Sequence, residues 1–148
     1  MLREGPQAIR RKRHRGIVTD IVLAAFISDG HVLMVRRAAH KTQFPEHWDL
    51  VGGHLEIGET CDSALVREAQ EEIGLTPVRF EYLKAVSQEP TADGGEITYH
   101  IYAVTEWSGG APRLLGDEHT DLAWVLMENA ISMKPLAHPA IISIVSGP

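Results

Sequence analysis

The spacing of apolar positions divides the chain into strands, one long helix, more strands and a short closing helix. Ile17 to Ser28 is a nearly unbroken run of branched and apolar residues, the pattern of a largely buried strand. Asp29-Gly30 is a hairpin turn signal, and His31 to Arg37 returns as its partner. Residues 38–47 form a polar loop around Pro45, and Trp48 to Val51 is a short strand leading into Gly52-Gly53. The spacing then predicts a helix from Thr60 to about Ile73, stopped by Gly74, since glycine takes the left-handed cap conformation at no steric cost. At about 100° per residue, Leu65, Val66, Ala69 and Ile73 share the side assigned to the core. Thr76-Pro77 breaks the chain, Arg79 to Ser87 alternates as a strand, residues 88–95 form a loop, and Glu96 to Trp107 is rich in strand-favouring residues. After a turn at 108–112 and a loop holding Asp117 and Glu118, Leu122 to Met127 is a strand. Pro139 to Val145 is a short helix with Ile141, Ile142 and Val145 inward. Strands interrupted and closed by helices imply an α/β fold, a mixed sheet covered on both faces.

The long helix carries a second pattern. Glu68 and Glu72 stand four residues apart beside the apolar side, with Glu71 one turn from Glu68. Like charges at this spacing weaken a helix by about 0.2–0.5 kcal/mol per pair. A solvated acidic face is one reading. The other is that a divalent cation cancels the repulsion, since hard cations take carboxylate oxygens and substrate phosphates as ligands. The glycines before the helix let backbone approach a ligand, and Arg67 is spaced to pair with loop residue Glu59, pinning loop to helix.

Charge distribution sharpens this. Residues 1–15 hold six of the 14 Lys and Arg and one acid, Glu4, and read as a flexible basic arm ahead of a single domain, residues 16–148. The domain then has 8 basic and 19 acidic residues, a net of −11. Such a body repels polyanions unless cations intervene. The arm could touch nucleic acid, but a solvated arm is the reading adopted, and nucleic acid is not the expected partner. The apolar run after the arm is too short for a membrane span and no cleavage site follows it. The single Cys61 cannot form an internal disulfide, which fits a reducing, cytoplasmic setting. The eight histidines lack zinc-site spacing; His119, beside Glu118, is the one to watch.

Gly53, five residues, Glu59, seven residues, then Arg67-Glu68-Ala69-Gln70-Glu71-Glu72-Ile73-Gly74-Leu75 resembles the Nudix box. The mild departure is Ala69, where a larger aliphatic is usual. The resemblance implies an α/β/α sandwich and a Mg²⁺-dependent (or Mn²⁺-dependent) hydrolase that cleaves a pyrophosphate bond in a small nucleotide. It implies Glu68 and Glu72 as main metal ligands and the Gly53 carbonyl as another. Glu71 is either a third ligand or the base, and Arg67 and Glu59 are the structural pair. Glu118, just before a strand, resembles the glutamate that completes the metal site or serves as base in mutator-type relatives, with Asp117 and Asp121 as competitors. Arg36-Arg37 resembles the nucleotide-contacting strand end, with Arg37 meeting phosphate or base. A homodimer is expected by resemblance alone.

Substrate is less legible. Residues 135–140 lack the asparagine that mutator-type enzymes use to read oxidised guanine, and Pro135-Leu136-Ala137 instead resembles pyrimidine nucleoside triphosphate pyrophosphohydrolases. The leading expectation is therefore hydrolysis of a nucleoside triphosphate to monophosphate and pyrophosphate. ADP-ribose or a nucleotide sugar is second, on the strength of Pro90, fifteen residues past the box. Two further readings are RNA 5′-end hydrolysis aided by the basic arm, and a non-catalytic nucleotide-binding regulatory module, which the intact set of box acids disfavours.

Overall fold

The computed structural model describes residues 2–7, 12–13, 16–88 and 95–146. Element order is β1 (Lys12–Arg13), β2 (Gly16–Ser28), β3 (His31–Arg37), β4 (Trp48–Asp49), β5 (Val51–His54), α1 (Cys61–Ile73), β6 (Thr76–Gln88), β7 (Glu96–Ser108), β8 (His119–Leu126), α2 (Met127–Ala130) and α3 (Pro139–Val145).

The long β2 is the hinge of the architecture. Its body runs parallel to β7, from Val18 opposite Glu96 to Phe26 opposite Val104, and antiparallel to β5. Its last residues turn through Asp29-Gly30 into β3, which pairs with β4 and β8. β6 lies antiparallel outside β7. One face of β2 (Val22, Ala24, Phe26) packs with Leu65, Ala69 and Ile73 of α1, and the other (Leu23, Ala25) packs with Ile141, Ile142 and Val145 of α3. Both faces are covered, hence the unbroken apolar run. The expected α/β/α sandwich with a mixed sheet is the observed fold.

α1 forms where its caps demand. The Ser63 N–H donates to Thr60 Oγ1 at 3.0 Å. Gly74 adopts φ 71°, its N–H and that of Leu75 both reaching the Ala69 carbonyl, the paired closure that favours glycine. Several details depart from expectation. Val66 is only half-buried, whereas Cys61 and Ala64 complete the inward face. Glu72, expected beside that face, is 3% exposed. Gly52 and Gly53 lie inside β5, paired with Leu23 and Val22, rather than in a loop. β6 begins directly at Thr76, the strand absorbing Pro77 with a register shift before Arg79. β8 begins at His119, three residues early, and α2 was not foreseen.

The basic arm is more attached than expected where it is described. The Tyr82 N–H donates to the Arg3 carbonyl, the Gly5 N–H to Asp62 Oδ1, and the Cys61 N–H to the Pro6 carbonyl. The Arg3 guanidinium lies 5.4 Å from the Tyr82 ring centre. These backbone contacts tie residues 2–7 to β6 and the start of α1. Residues 8–11, 14 and 15 of the arm, and Pro90 with most of the 88–95 loop, lie outside the described residues. No helix among the described residues is long and apolar enough to cross a membrane.

Candidate active site

A cleft of about 260 Å³ opens where β5, the second half of α1, the 38–47 loop and the start of β8 meet. Gly53, Arg37, Glu68, Glu72 and Glu118 all line it, together with His119, Asp49, His138, Tyr99, Phe44 and Lys41. The paired acids come from α1 pressed against β5. A Cβ on Gly53 would overlap the Glu68 carboxylate, so glycine here leaves that carboxylate its place against the strand.

Arg67 locks the helix to the preceding loop. Its Nε and Nη2 donate to the two oxygens of Glu59 at 2.7 and 2.9 Å, Nη2 also reaches the His54 carbonyl at 2.9 Å, and Nη1 reaches Glu68 Oε1 at 2.8 Å. A guanidinium is the side chain that can serve so many acceptors from one plane. The Arg67 bond holds the Glu59 carboxyl below the usual range, and Glu59 returns a hold on the loop by accepting from the Glu56 N–H. Nη1 also meets Glu71 at 3.2 Å. Glu71 is exposed; it is absent from the lining of the main cleft but lines an adjoining recess together with Glu72, Glu118 and Lys41.

Glu72 has no such partner. Its carboxyl is pushed well up by burial first, then by the adjoining Glu68 carboxylate and the charges of Glu118 and Asp49. Glu72 Oε2 and the nearby His119 Nδ1 are buried polar atoms with no hydrogen-bond partner. Buried orphan acceptors cost about 1–3 kcal/mol each. A divalent cation suits this donor set: oxygen-rich, mutually repelling and incompletely satisfied. Among the described residues, no three His, Cys, Asp or Glu side chains close around a single point. The fit is thus to an ion held by one or two carboxylates and completed by carbonyl, water or phosphate oxygens.

Glu118 is held by the sheet and by a cation. Its carbonyl accepts from the Ala38 N–H at 2.9 Å, and its carboxylate meets Lys41 Nζ at 2.7 Å. The Lys41 bond keeps its carboxyl below the ordinary range. Behind it, the Leu115 N–H donates to the Glu72 carbonyl and the Arg113 N–H to that of Ile73, stitching the 109–118 loop to the end of α1. Asp121 pairs instead with Arg36 at 3.7 Å, and Asp117 lines the outer recess only.

Part of the cleft wall is aromatic. The His138 ring sits 5.0 Å from Phe44 and 4.6 Å from Tyr99. Beside His138 lies Asp49, whose Oδ1 accepts from the Leu50 N–H and whose Oδ2 is 3.7 Å from both Arg37 Nη1 and His138 Nε2. Burial raises Asp49 to about 7, against the pull of Leu50 and Arg37, so it is part protonated at neutral pH. Burial also depresses His138 to about 4, leaving it neutral. Arg37 is tethered by donating to the Gln43 carbonyl at 2.8 Å. A carboxyl that both donates and accepts, a neutral imidazole and flat rings form a surface suited to a nucleobase edge and face.

Sequence reasoning named the acids and Arg37 but not Asp49, His138, Tyr99, Phe44 or Lys41. A signal existed for two of them. Asp49 is a lone charge between Trp48 and Leu50 in an apolar strand, and His138 replaces the sought asparagine in 135–140. That segment docks on β4, with the Trp48 N–H bonded to the Pro135 carbonyl and the Ala137 N–H to that of Trp48.

Residues 18–145 match the NUDIX domain family. The chain is 33% identical over 118 residues to the CTP pyrophosphohydrolase of Escherichia coli (strain K12), covering 80% of this chain and 82% of that protein. It is 33% identical over 124 residues to the nucleoside triphosphatase NudI of Enterobacter sp. (strain 638), covering 79% and 85%. A MutT NUDIX hydrolase from Burkholderia pseudomallei superposes with a TM-score of 0.77 at 26% identity, covering 88% of this chain and 98% of that one. With that match across nearly the whole domain, and box residues Gly53, Arg67, Glu68 and Glu72 lining one cleft, the chain belongs to the NUDIX family of hydrolases.

Proposed function

We propose that this enzyme hydrolyses a nucleoside triphosphate, a pyrimidine one by preference, to the monophosphate and pyrophosphate. The observation that carries the reading is a single cleft lined both by the paired acids Glu68 and Glu72 and by Asp49, His138, Tyr99 and Phe44. Such a space accepts base and phosphates together. The relatives named for CTP and for nucleoside triphosphates support the same class.

Glu68, Glu72 and the Gly53 carbonyl would hold the divalent cation, magnesium or manganese, which when bound neutralises phosphate oxygens and makes water more acidic. Arg37 and Lys41 line the cleft and supply the remaining positive charge to the phosphates. Glu118 is better placed than Glu71 to take the proton of the attacking water, because Glu118 lines the cleft and Glu71 does not. Asp49, part protonated, can donate to a base nitrogen or accept from an exocyclic amine. His138 and Phe44 pack the base.

The test is a product assay over the common ribo- and deoxynucleoside triphosphates, ADP-ribose and nucleotide sugars, each with Mg²⁺ and Mn²⁺. The reading expects pyrophosphate, not phosphate, from CTP or UTP and their deoxy forms. Turnover confined to ADP-ribose would overturn the substrate class, and silence across the panel would overturn catalysis.

A further inference from the structure

His119 is the unexplained group of the cleft. Its side chain is 7% exposed, and its Nδ1 lies 3.4 Å from Glu72 Oε1 without a hydrogen bond. The position is not a loose one. β8 opposes Arg37 with His119 and Arg36 with Asp121, so Thr120 is an extra residue at this step. A bulge of this kind re-aims the neighbouring side chain. The chain thus bends its own strand to bring an imidazole against the most buried acid of the cleft. An unsatisfied imidazole nitrogen thus stands beside Oε1 of a carboxylate whose other oxygen, Oε2, is itself unsatisfied, and a cation would satisfy both groups. Two ligands of one ion, each about 2.1 Å from it, stand about 3.0–3.4 Å apart in octahedral or tetrahedral arrangement. The observed gap matches.

We propose that His119 Nδ1 is a direct nitrogen ligand of the cation held by Glu72, and that it shifts the site's preference from Mg²⁺ towards Mn²⁺ and other imidazole-binding divalent ions. The inference rests on the metal-dependent reading above and adds a ligand to it. Carboxylate and water oxygens suit magnesium, whereas an imidazole suits the later divalent metals. In this geometry Glu72 is the hub, touching Glu68 on one side and His119 on the other.

The experiment uses the full-length protein and Mn²⁺ as probe. Pulsed electron paramagnetic resonance of bound Mn²⁺ should show nitrogen coupling in the wild type, retained in His138→Ala and lost in His119→Ala and His119→Gln. Competition should show the wild type's Mn²⁺-over-Mg²⁺ selectivity falling by about tenfold or more in both His119 variants. Bound Mn²⁺ without nitrogen coupling in the wild type, or coupling that survives in a folded His119 variant, overturns the assignment while leaving the carboxylate site intact. Equal weakening of both ions in the variants would also overturn it, making the imidazole a mere support for Glu72. Wild-type protein that binds no Mn²⁺, with or without nucleotide, overturns the metal-dependent reading as well.

Discussion

Replacing Arg67 by alanine tests whether the site is held together by one side chain. Arg67 makes five hydrogen bonds, to Glu59 twice, Glu68, Glu71 and the His54 carbonyl. Its side chain is 23% exposed and those of Glu59 and Glu68 are each 13% exposed. Exposed pairs contribute up to about 1 kcal/mol, and breaking a buried one costs about 3–5 kcal/mol. This network lies nearer the buried limit, so Arg67→Ala should cost about 3 kcal/mol. For a chain of this size that lowers Tm by about 6–12 °C. Lysine, a point charge without the fork, should recover less than half. The pH dependence fixes the cause. Arg67 depresses the Glu59 carboxyl, so this stabilisation is present above the unfolded pKa and is lost as pH falls through the folded one. The gap between wild type and Arg67→Ala should therefore shrink below about pH 4. Urea unfolding with a chelator present, followed by tryptophan fluorescence across pH 3 to 8, measures it. A gap under about 1 kcal/mol at pH 7, or one indifferent to acid, would refute the reasoning.

Glu72→Gln removes a like charge from a buried pair, so it should abolish turnover while leaving Tm in chelator unchanged or higher; a lower Tm would show that the carboxyl is structural. Gly53→Ala drives a Cβ into the Glu68 carboxylate and should cut activity at least about 100-fold with circular dichroism unchanged, as displaced catalytic groups do. Asp49 has a folded pKa raised to about 7 by burial, so its protonated form is stabilised and stability falls as pH rises from about 4 to 7. Asp49→Asn should remove that decline, worth up to about 4 kcal/mol by the shift alone, and should raise KM more than it lowers kcat; identical pH–stability curves for both proteins would refute the assignment.

The parts of this molecule governed by local rules were legible in its sequence. The cap residues Thr60 and Gly74 delimit α1, Asp29-Gly30 turns β2 into β3, and the unbroken run of β2 announces a largely buried strand. The acids of α1 were found because their spacing is a helical property. What escaped depends on long-range placement. Whether Glu71 or Glu72 faces the cleft differs by about 100° of helix rotation, and it is decided by β5 and the 109–118 loop packing on either side. Val66 was assigned to the core by the same rotation argument and is only half-buried, in a recess it shares with Phe80 of β6. Asp49 and His138 stand far apart in sequence, and only docking of residues 135–138 along Trp48 brings them together. The face that His119 presents hinges on one bulge in β8, which no hydrophobic pattern records.

The charge distribution turns these placements into a requirement. Among the cleft cations, Arg67 is consumed by Glu59, Glu68 and the His54 carbonyl, and Lys41 is engaged by Glu118. Arg37 is the one remaining arginine on the wall, and it is shared with buried Asp49. A triphosphate entering this cleft therefore meets more acids than free cations, and at close range such repulsion is not screened by salt. Binding becomes favourable only when positive charge is added between the substrate and Glu68 and Glu72, or when Lys41 is released from Glu118 to the phosphates. The first makes nucleotide and divalent-ion affinity mutually reinforcing by linkage; the second frees Glu118 at the moment substrate arrives, which is when the proposed base would be needed. One arrangement of charge thus couples substrate binding to the readiness of the site.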